Sequence, residues 1–228
     1  MTMDDERDAR PRSSRGPEST RSSLLSAAAG LFAARGFDGT TVEAIARRSR
    51  ANKAAISYHF GGKAGIYEEI LASTFAHAAG EVQAILDEGL PAGETLGRFA
   101  MAFVRLVAER PHFPAIMLRE AMSGGRHMTD RVLPHFVGVF QRVRGIVQRG
   151  IAEGEFRPVD PVLTHLALMG SLLFFPATGP MRERLARDGK IPVPEFLDAE
   201  TYVRNLHSLL LDGLRAEPAS PVARPQPR

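Results

Sequence analysis

The residues best equipped for chemistry lie between Thr40 and Lys63. Arg47, Arg48, Arg50, Lys53 and Lys63 are cations. Asn52, Ser57, Tyr58 and His59 are hydrogen-bonding side chains set among the small residues Ala51, Ala54 and Ala55. Cations hold phosphate oxygens, while short polar or methyl-bearing side chains read base edges. Such a set suits a nucleic-acid surface. Residues 16–63 carry seven Lys/Arg against three acids, whereas residues 64–228 carry 18 basic and 19 acidic residues. The formal net charge is only +3, so the basic excess is confined to one short segment, as expected of a surface that meets phosphates.

Local signals arrange these residues as a helix-turn-helix over 41–60. Thr40 and Glu43 have capping-box spacing at the start of the first helix. Ile45 and Ala46 give that helix an apolar edge, and the small Ala46 permits close approach. Ser49-Arg50-Ala51 supplies the turn, and Asn52 is a good N-cap for a second, short helix to about Tyr58. Ala51, Ala55 and Ile56 are expected to pack inward, leaving Lys53, Ala54, Ser57, Tyr58 and His59 for the groove or its walls. Phe60 is expected in the core, fixing this helix to the first. A second helix so presented enters the major groove of DNA.

The elements that must position this reader are helical throughout. Leu24, Ala28, Leu31 and Phe32 mark a helix that ends before Gly36, a residue able to take positive φ. The spacing predicts helices over 63–88, 94–109, 113–122, 129–153, 162–175 and 195–215. Leu96, Phe99, Ala100, Phe103, Leu106 and Val107 form the clearest amphipathic stripe. Asp160-Pro161 starts the helix from Val162, which is apolar nearly all round and is broken by Pro176, Gly179 and Pro180. The fold class is all-α. An N-terminal domain (18–78) carries the helix-turn-helix, and a larger helical domain (79–215) follows. Residues 1–17 and 216–228 lack periodicity and are expected to be a disordered arm and tail. The arm holds Arg7, Arg10, Arg12 and Arg15 balanced by acids.

Several classes are disfavoured. The seven histidines show no paired metal-ligand spacing, and HExxH, GxSxG and phosphate-cradling glycine loops are absent. There is no cysteine, so no disulfide or thiolate chemistry. An enzyme is not expected, and no cofactor or metal is implied. No apolar run reaches the length of a membrane span, and the acidic N-terminus does not read as a signal peptide. The expectation is a cytoplasmic protein.

At Leu31-Phe32-Ala33-Ala34-Arg35-Gly36-Phe37, Thr40-Thr41-Val42-Glu43-Ala44-Ile45-Ala46 and Ser57-Tyr58-His59-Phe60-Gly61-Gly62-Lys63 the chain resembles the TetR family of bacterial transcriptional regulators. The ordered combination covers roughly residues 18–78. The resemblance implies a phosphate contact at Thr40 or Thr41, groove-facing positions at Ala54, Ala55, Ser57 and Tyr58, an aromatic-His pair at Tyr58 and His59, and a phosphate-binding lysine at Lys63. Arg50 stands where family members usually have Gly. Either the turn differs or Arg50 is tolerated there for its charge.

One such module reads few bases, and two held about one DNA turn apart read a palindrome. A homodimer is therefore expected, through the 162–175 and 195–215 helices, with Gly170 and Ser171 allowing close approach. The family resemblance also implies a pocket for an unknown small molecule. Phe103, Phe113, Met117, Phe136, Phe140, Met169 and Phe174 offer apolar lining. Arg119, Glu120, His112, His135 and His165 are candidates to orient a ligand. Arg119-Glu120 stands out as a charged pair within an apolar stretch. The function expected is a dimeric repressor released from a palindromic double-stranded operator by ligand. The alternatives are a ligand-assisted activator and a non-specific architectural DNA-binding protein.

Overall fold

The computed structural model describes residues 17–192 and 197–215. Ten helices account for most of this: α1 (Pro17–Arg35), α2 (Val42–Ser49), α3 (Lys53–Phe60), α4 (Lys63–Asp87), α5 (Ala92–Glu109), α6 (Phe113–Met122), α7 (Leu133–Ala152), α8 (Pro161–Ala177), α9 (Gly179–Arg187) and α10 (Ala199–Leu214). The all-α expectation holds. Helix α9 was not foreseen, because Pro176 and Gly179-Pro180 read as breakers; Pro176 instead sits inside α8, and Pro180 occupies the first turn of α9, where a missing N–H costs nothing. The helix expected over 129–153 starts later, at Leu133. The last helix starts at Ala199 rather than 195. Its N-cap is Asp198, whose carboxylate accepts from the Thr201 N–H at 2.6 Å. Of the arm expected over 1–17, Pro17 instead opens α1; residues 1–16, the tail from 216 and the segment 193–196 lie outside the described residues.

Helices α1 to α3 and the start of α4 share one apolar centre. Leu24, Ile45, Ile56, Ile66 and Leu71 have no exposed surface there. The expected domain boundary at 78 falls inside α4, which runs unbroken from Lys63 to Asp87. One rigid rod thus belongs to both halves. Beyond it, α5 and α7 pack against α4, α8 packs on α6 and α7, α6 also lies against α1, and α10 packs on α5. A contact distant in sequence caps α5. Pro91 offers no side-chain cap, and the Glu155 carboxylate instead accepts from the N–H groups of Ala92 (2.7 Å) and Gly93 (2.9 Å). No described helix is long and apolar enough to cross a membrane.

Candidate nucleic-acid interface and ligand cavity

Helix α2 begins one residue later than the capping-box reading. The N-cap is Thr41, whose hydroxyl accepts from the Ala44 N–H at 3.2 Å. Thr40 is fully buried and donates its hydroxyl to the Gly36 carbonyl at 2.8 Å. That placement removes Thr40 from any outer surface and leaves Thr41, which is exposed. Glu43 does not close a box with Thr40; it binds Lys53 across the turn at 2.6 Å, and this hydrogen bond holds the Glu43 carboxyl below the usual carboxylate range.

The turn resolves the question posed by Arg50. Arg50 has φ 57° and ψ 31°, the left-handed conformation that a glycine adopts most cheaply. It is the one non-glycine residue with positive φ among those described. Its N–H donates to the carbonyls of Ala46 and Arg47, ending α2, and the Ala51 N–H follows to Ala46 at 3.1 Å. The usual turn is therefore kept, and the side chain is a solvent-exposed cation.

Helix α3 is set by its cap as read from sequence. The Asn52 side chain accepts from the Ala55 N–H at 2.8 Å. Ile56 is fully buried against α2, and Ala51 and Ala55 pack partly against the same core. Ala55 thus faces inward, which corrects its placement among the groove-facing positions. Asn52, Lys53, Ala54 and Ser57 are exposed, and Tyr58 is 84% exposed, with its ring edge-on to His59 at 5.0 Å. So large an aromatic left in water is not part of the core. Phe60 packs against the core with the Arg21 guanidinium of α1 over its ring, at 5.4 Å.

Gly61 (φ 71°) and Gly62 (φ 125°) turn the chain into α4. The first turn of α4 has no side-chain cap, so its amides are available to an anion. Close approach also demands Gly65, since a Cβ there would lie 1.8 Å from the Phe60 carbonyl oxygen. Lys63 stands at this helix start but is not free. Its Nζ donates to the Phe37 carbonyl at 3.0 Å and lies 4.1 Å from the centre of the Phe37 ring. Two ammonium protons remain for another acceptor. Arg47 is exposed. Arg48 is also exposed but extends toward the second domain, because a Cβ on Gly30 would lie 3.1 Å from Arg48 Nη2 and 3.2 Å from His112 Nε2. The structure therefore separates two neighbours that sequence had grouped.

A cavity of about 730 Å³ lies between α4, α5, α6, α7 and α8. Phe103, Phe113, Met117, Glu120, Phe136, Phe140, His165 and Met169 all line it, as expected. Four expected residues do not. His135 is exposed on α7, Phe174 is 60% exposed on α8, and His112 lies beside Gly30. Arg119 points to a different face of α6 from Glu120, because adjacent residues on a helix diverge by about 100°. Arg119 donates to the carbonyls of Ala33 (2.9 Å) and Ala34 (3.0 Å) at the end of α1. The expected Arg119-Glu120 pair does not exist. Phe75, Val82, Phe99 and Ala102 also line the cavity; Phe99 belongs to the stripe read over α5, but periodicity does not say which space a stripe encloses.

Glu120 is 2% exposed and has different partners. It accepts from Tyr67 Oη (2.8 Å), the His127 N–H (2.7 Å) and His127 Nδ1 (2.9 Å). Burial pushes its carboxyl up, but the hydrogen bonds from His127 and Tyr67 outweigh that and hold it below the ordinary range. Burial and the adjacent carboxylate push the Tyr67 phenol up. The His127 ring lies 4.1 Å from that of Phe37, and Phe37 in turn carries Lys63. The cavity wall and the start of α4 are thus joined by direct contacts.

An exposed short helix behind a tight turn, carried on a rod that continues into a cavity-bearing helical domain, defines a helix-turn-helix transcriptional regulator. Comparison with known proteins gives the family. The model for bacterial regulatory proteins of the tetR family matches residues 24–70, and that for the tetracyclin repressor-like C-terminal domain matches residues 93–187. The HTH-type transcriptional repressor NicS of Pseudomonas putida is 32% identical over 68% of this chain and 74% of its own. The HTH-type transcriptional repressor KstR2 of Mycolicibacterium smegmatis is 33% identical over 62% of this chain and 70% of its own. Among solved structures, the TetR family transcriptional regulator PfmR from Thermus thermophilus superposes with a TM-score of 0.64 at 27% identity, over 85% of this chain and 99% of that one. The chain belongs to the TetR family, and it is a DNA-binding transcriptional regulator.

Proposed function

We propose that this protein is a dimeric repressor that holds a palindromic operator and lets it go when a small molecule fills the cavity. The observation that carries this reading is the Glu120 cluster. One side chain belongs to the cavity wall and is bonded both to Tyr67 on α4 and to His127, whose ring packs on Phe37 next to Lys63. A ligand that displaces this wall tilts α4 and changes the separation of two heads that must sit about one DNA turn apart.

In this reading Asn52, Lys53, Ala54, Ser57, Tyr58 and His59 face the groove. Thr41, Arg47, Arg50 and Lys63, with the bare first turn of α4, hold phosphates. The dimer forms on α8 and α10. Thr164, His165, Leu168 and Leu172 face inward on α8, while Leu163, Ala167 and Phe174 are exposed, and the exposed Leu166 and Gly170 also border the cavity. Leu209 of α10 is 72% exposed.

Selection on random duplex DNA tests the proposal, followed by anisotropy of the selected site titrated with a metabolite library. A two-fold symmetric motif and release by a compound binding one site per chain are the expected results. An asymmetric or diffuse motif, or compounds that only tighten DNA binding, would overturn it.

A further inference from the structure

Building on the reading of the cavity as a ligand site, we infer that its ligand is an uncharged, mainly apolar molecule with a single hydrogen-bonding group, which meets the imidazole of His165.

The charge follows from the wall. Among the described residues the lining holds no Lys, Arg, Ser, Thr, Asn, Gln or Tyr. Its ionisable members are His77, Glu81, Glu120 and His165. Two of these sit at the rim and are engaged outward: His77 with Glu109 at 3.5 Å and Glu81 with Arg105 at 3.4 Å. Glu120 is anionic, and both its oxygens already accept hydrogen bonds. A carboxylate or phosphate brought inside would therefore lose its water, gain no cation and face a like charge, each unfavourable in a low-dielectric space. A cation would find the carboxylate of Glu120 already satisfied.

The single polar anchor follows from His165. The residue is 7% exposed on α8, its ring stands edge-on to Phe140 at 4.6 Å, and Nδ1 is buried without a hydrogen-bond partner. Native interiors seldom leave such an atom unpaired, and a functional role is one reason they do. Burial lowers the basicity of the ring, so it is a neutral imidazole, able by choice of tautomer to donate or accept. A hydroxyl, a carbonyl or an N–H on the ligand fits equally well. The volume of about 730 Å³ lies within the ~300–1,000 Å³ typical of sites for drug-sized molecules.

Two dyes of one skeleton test the charge rule on the full chain. N-phenyl-1-naphthylamine is uncharged and has one N–H; 8-anilino-1-naphthalenesulfonate is the same skeleton with an anion added. Fluorescence titration should show one molecule of the amine per chain and at least about tenfold weaker binding of the sulfonate. His165→Leu should weaken the amine about three- to tenfold, the loss of one hydrogen bond, while its thermal midpoint stays level or rises because an unpaired buried atom is gone. His165→Met repeats the measurement should the first variant misfold. Sulfonate binding as tight as the amine, tighter binding of a cationic dye such as ethidium, no saturable amine binding, or unchanged amine affinity in a folded His165 variant would each overturn the inference. The dyes are read without DNA. Charge-selective binding that fails to release operator therefore overturns the repressor reading alone, and release by an anionic compound overturns the ligand class alone.

Discussion

Replacing Arg50 with glycine should stabilise the fold and weaken DNA binding in the same molecule. The backbone at Arg50 has φ 57°, where a side chain crowds the following carbonyl. Holding a non-glycine residue there costs about 1–2 kcal/mol. Glycine returns about 0.5–1 kcal/mol of that through the greater freedom of its unfolded chain. The remaining gain is about 0.5–1 kcal/mol, and little opposes it. The Arg50 side chain is exposed and makes no hydrogen bond or ion pair with the described residues, while its N–H bonds to Ala46 and Arg47 survive substitution. For a chain of this size the thermal midpoint should rise by about 1–4 °C, read by circular dichroism at 222 nm. Arg50→Asn should move it the same way by less, since asparagine tolerates the left-handed region better than arginine. On operator DNA, Arg50→Gly should lower affinity and flatten the log–log salt slope by about one. A lower midpoint would refute the strain assigned to this turn. An unchanged slope would mean that the charge is not why arginine occupies it.

Three further outcomes follow from the cluster and the exposed face of α8. Tyr67→Phe removes a buried donor to a carboxylate and should cost about 1.5–3 kcal/mol in urea unfolding; a change under about 0.5 kcal/mol would show that the bond in place between Tyr67 and Glu120 contributes nothing net. Glu120 has its folded pKa below its unfolded one, so its contribution is complete above the ordinary carboxylate range and is lost as pH falls through the folded value. Glu120→Gln should therefore be less stable at pH 7 and show a shallower loss of stability below about pH 4.5, checked by melts across that range; parallel curves for the two proteins would contradict it. Leu163→Glu combined with Phe174→Glu places charge on the outer face of α8, and sedimentation should show monomers with unchanged helicity; an intact dimer would move the interface elsewhere.

What the sequence determined is whatever depends on neighbours a few residues apart. Asn52 and Asp160 cap their helices as read, because a cap bonds an amide only two or three positions on. Ile45 and Ile56 fall inside and Tyr58 outside because helical periodicity assigns faces locally. Six of the eight cavity residues foreseen, Phe103, Phe113, Met117, Phe136, Phe140 and Met169, are apolar side chains that must be covered by something. The tertiary structure decided every question of partnership. Thr40 and Thr41 differ by one position, yet one hydroxyl bonds a carbonyl of the preceding turn and the other caps α2. Arg119 and Glu120 are adjacent, yet one grips the end of α1 and the other is held by Tyr67 and His127. Lys63 reads as a free phosphate ligand until Phe37, 26 residues away, is brought under it. Charges and hydroxyls bond over about 3 Å, so their roles depend on which distant segments the packing of α1, α4 and α6 carries into that range. The reading head around Arg50 was therefore legible in the chain, while its connection to the cavity was fixed only when the helices packed.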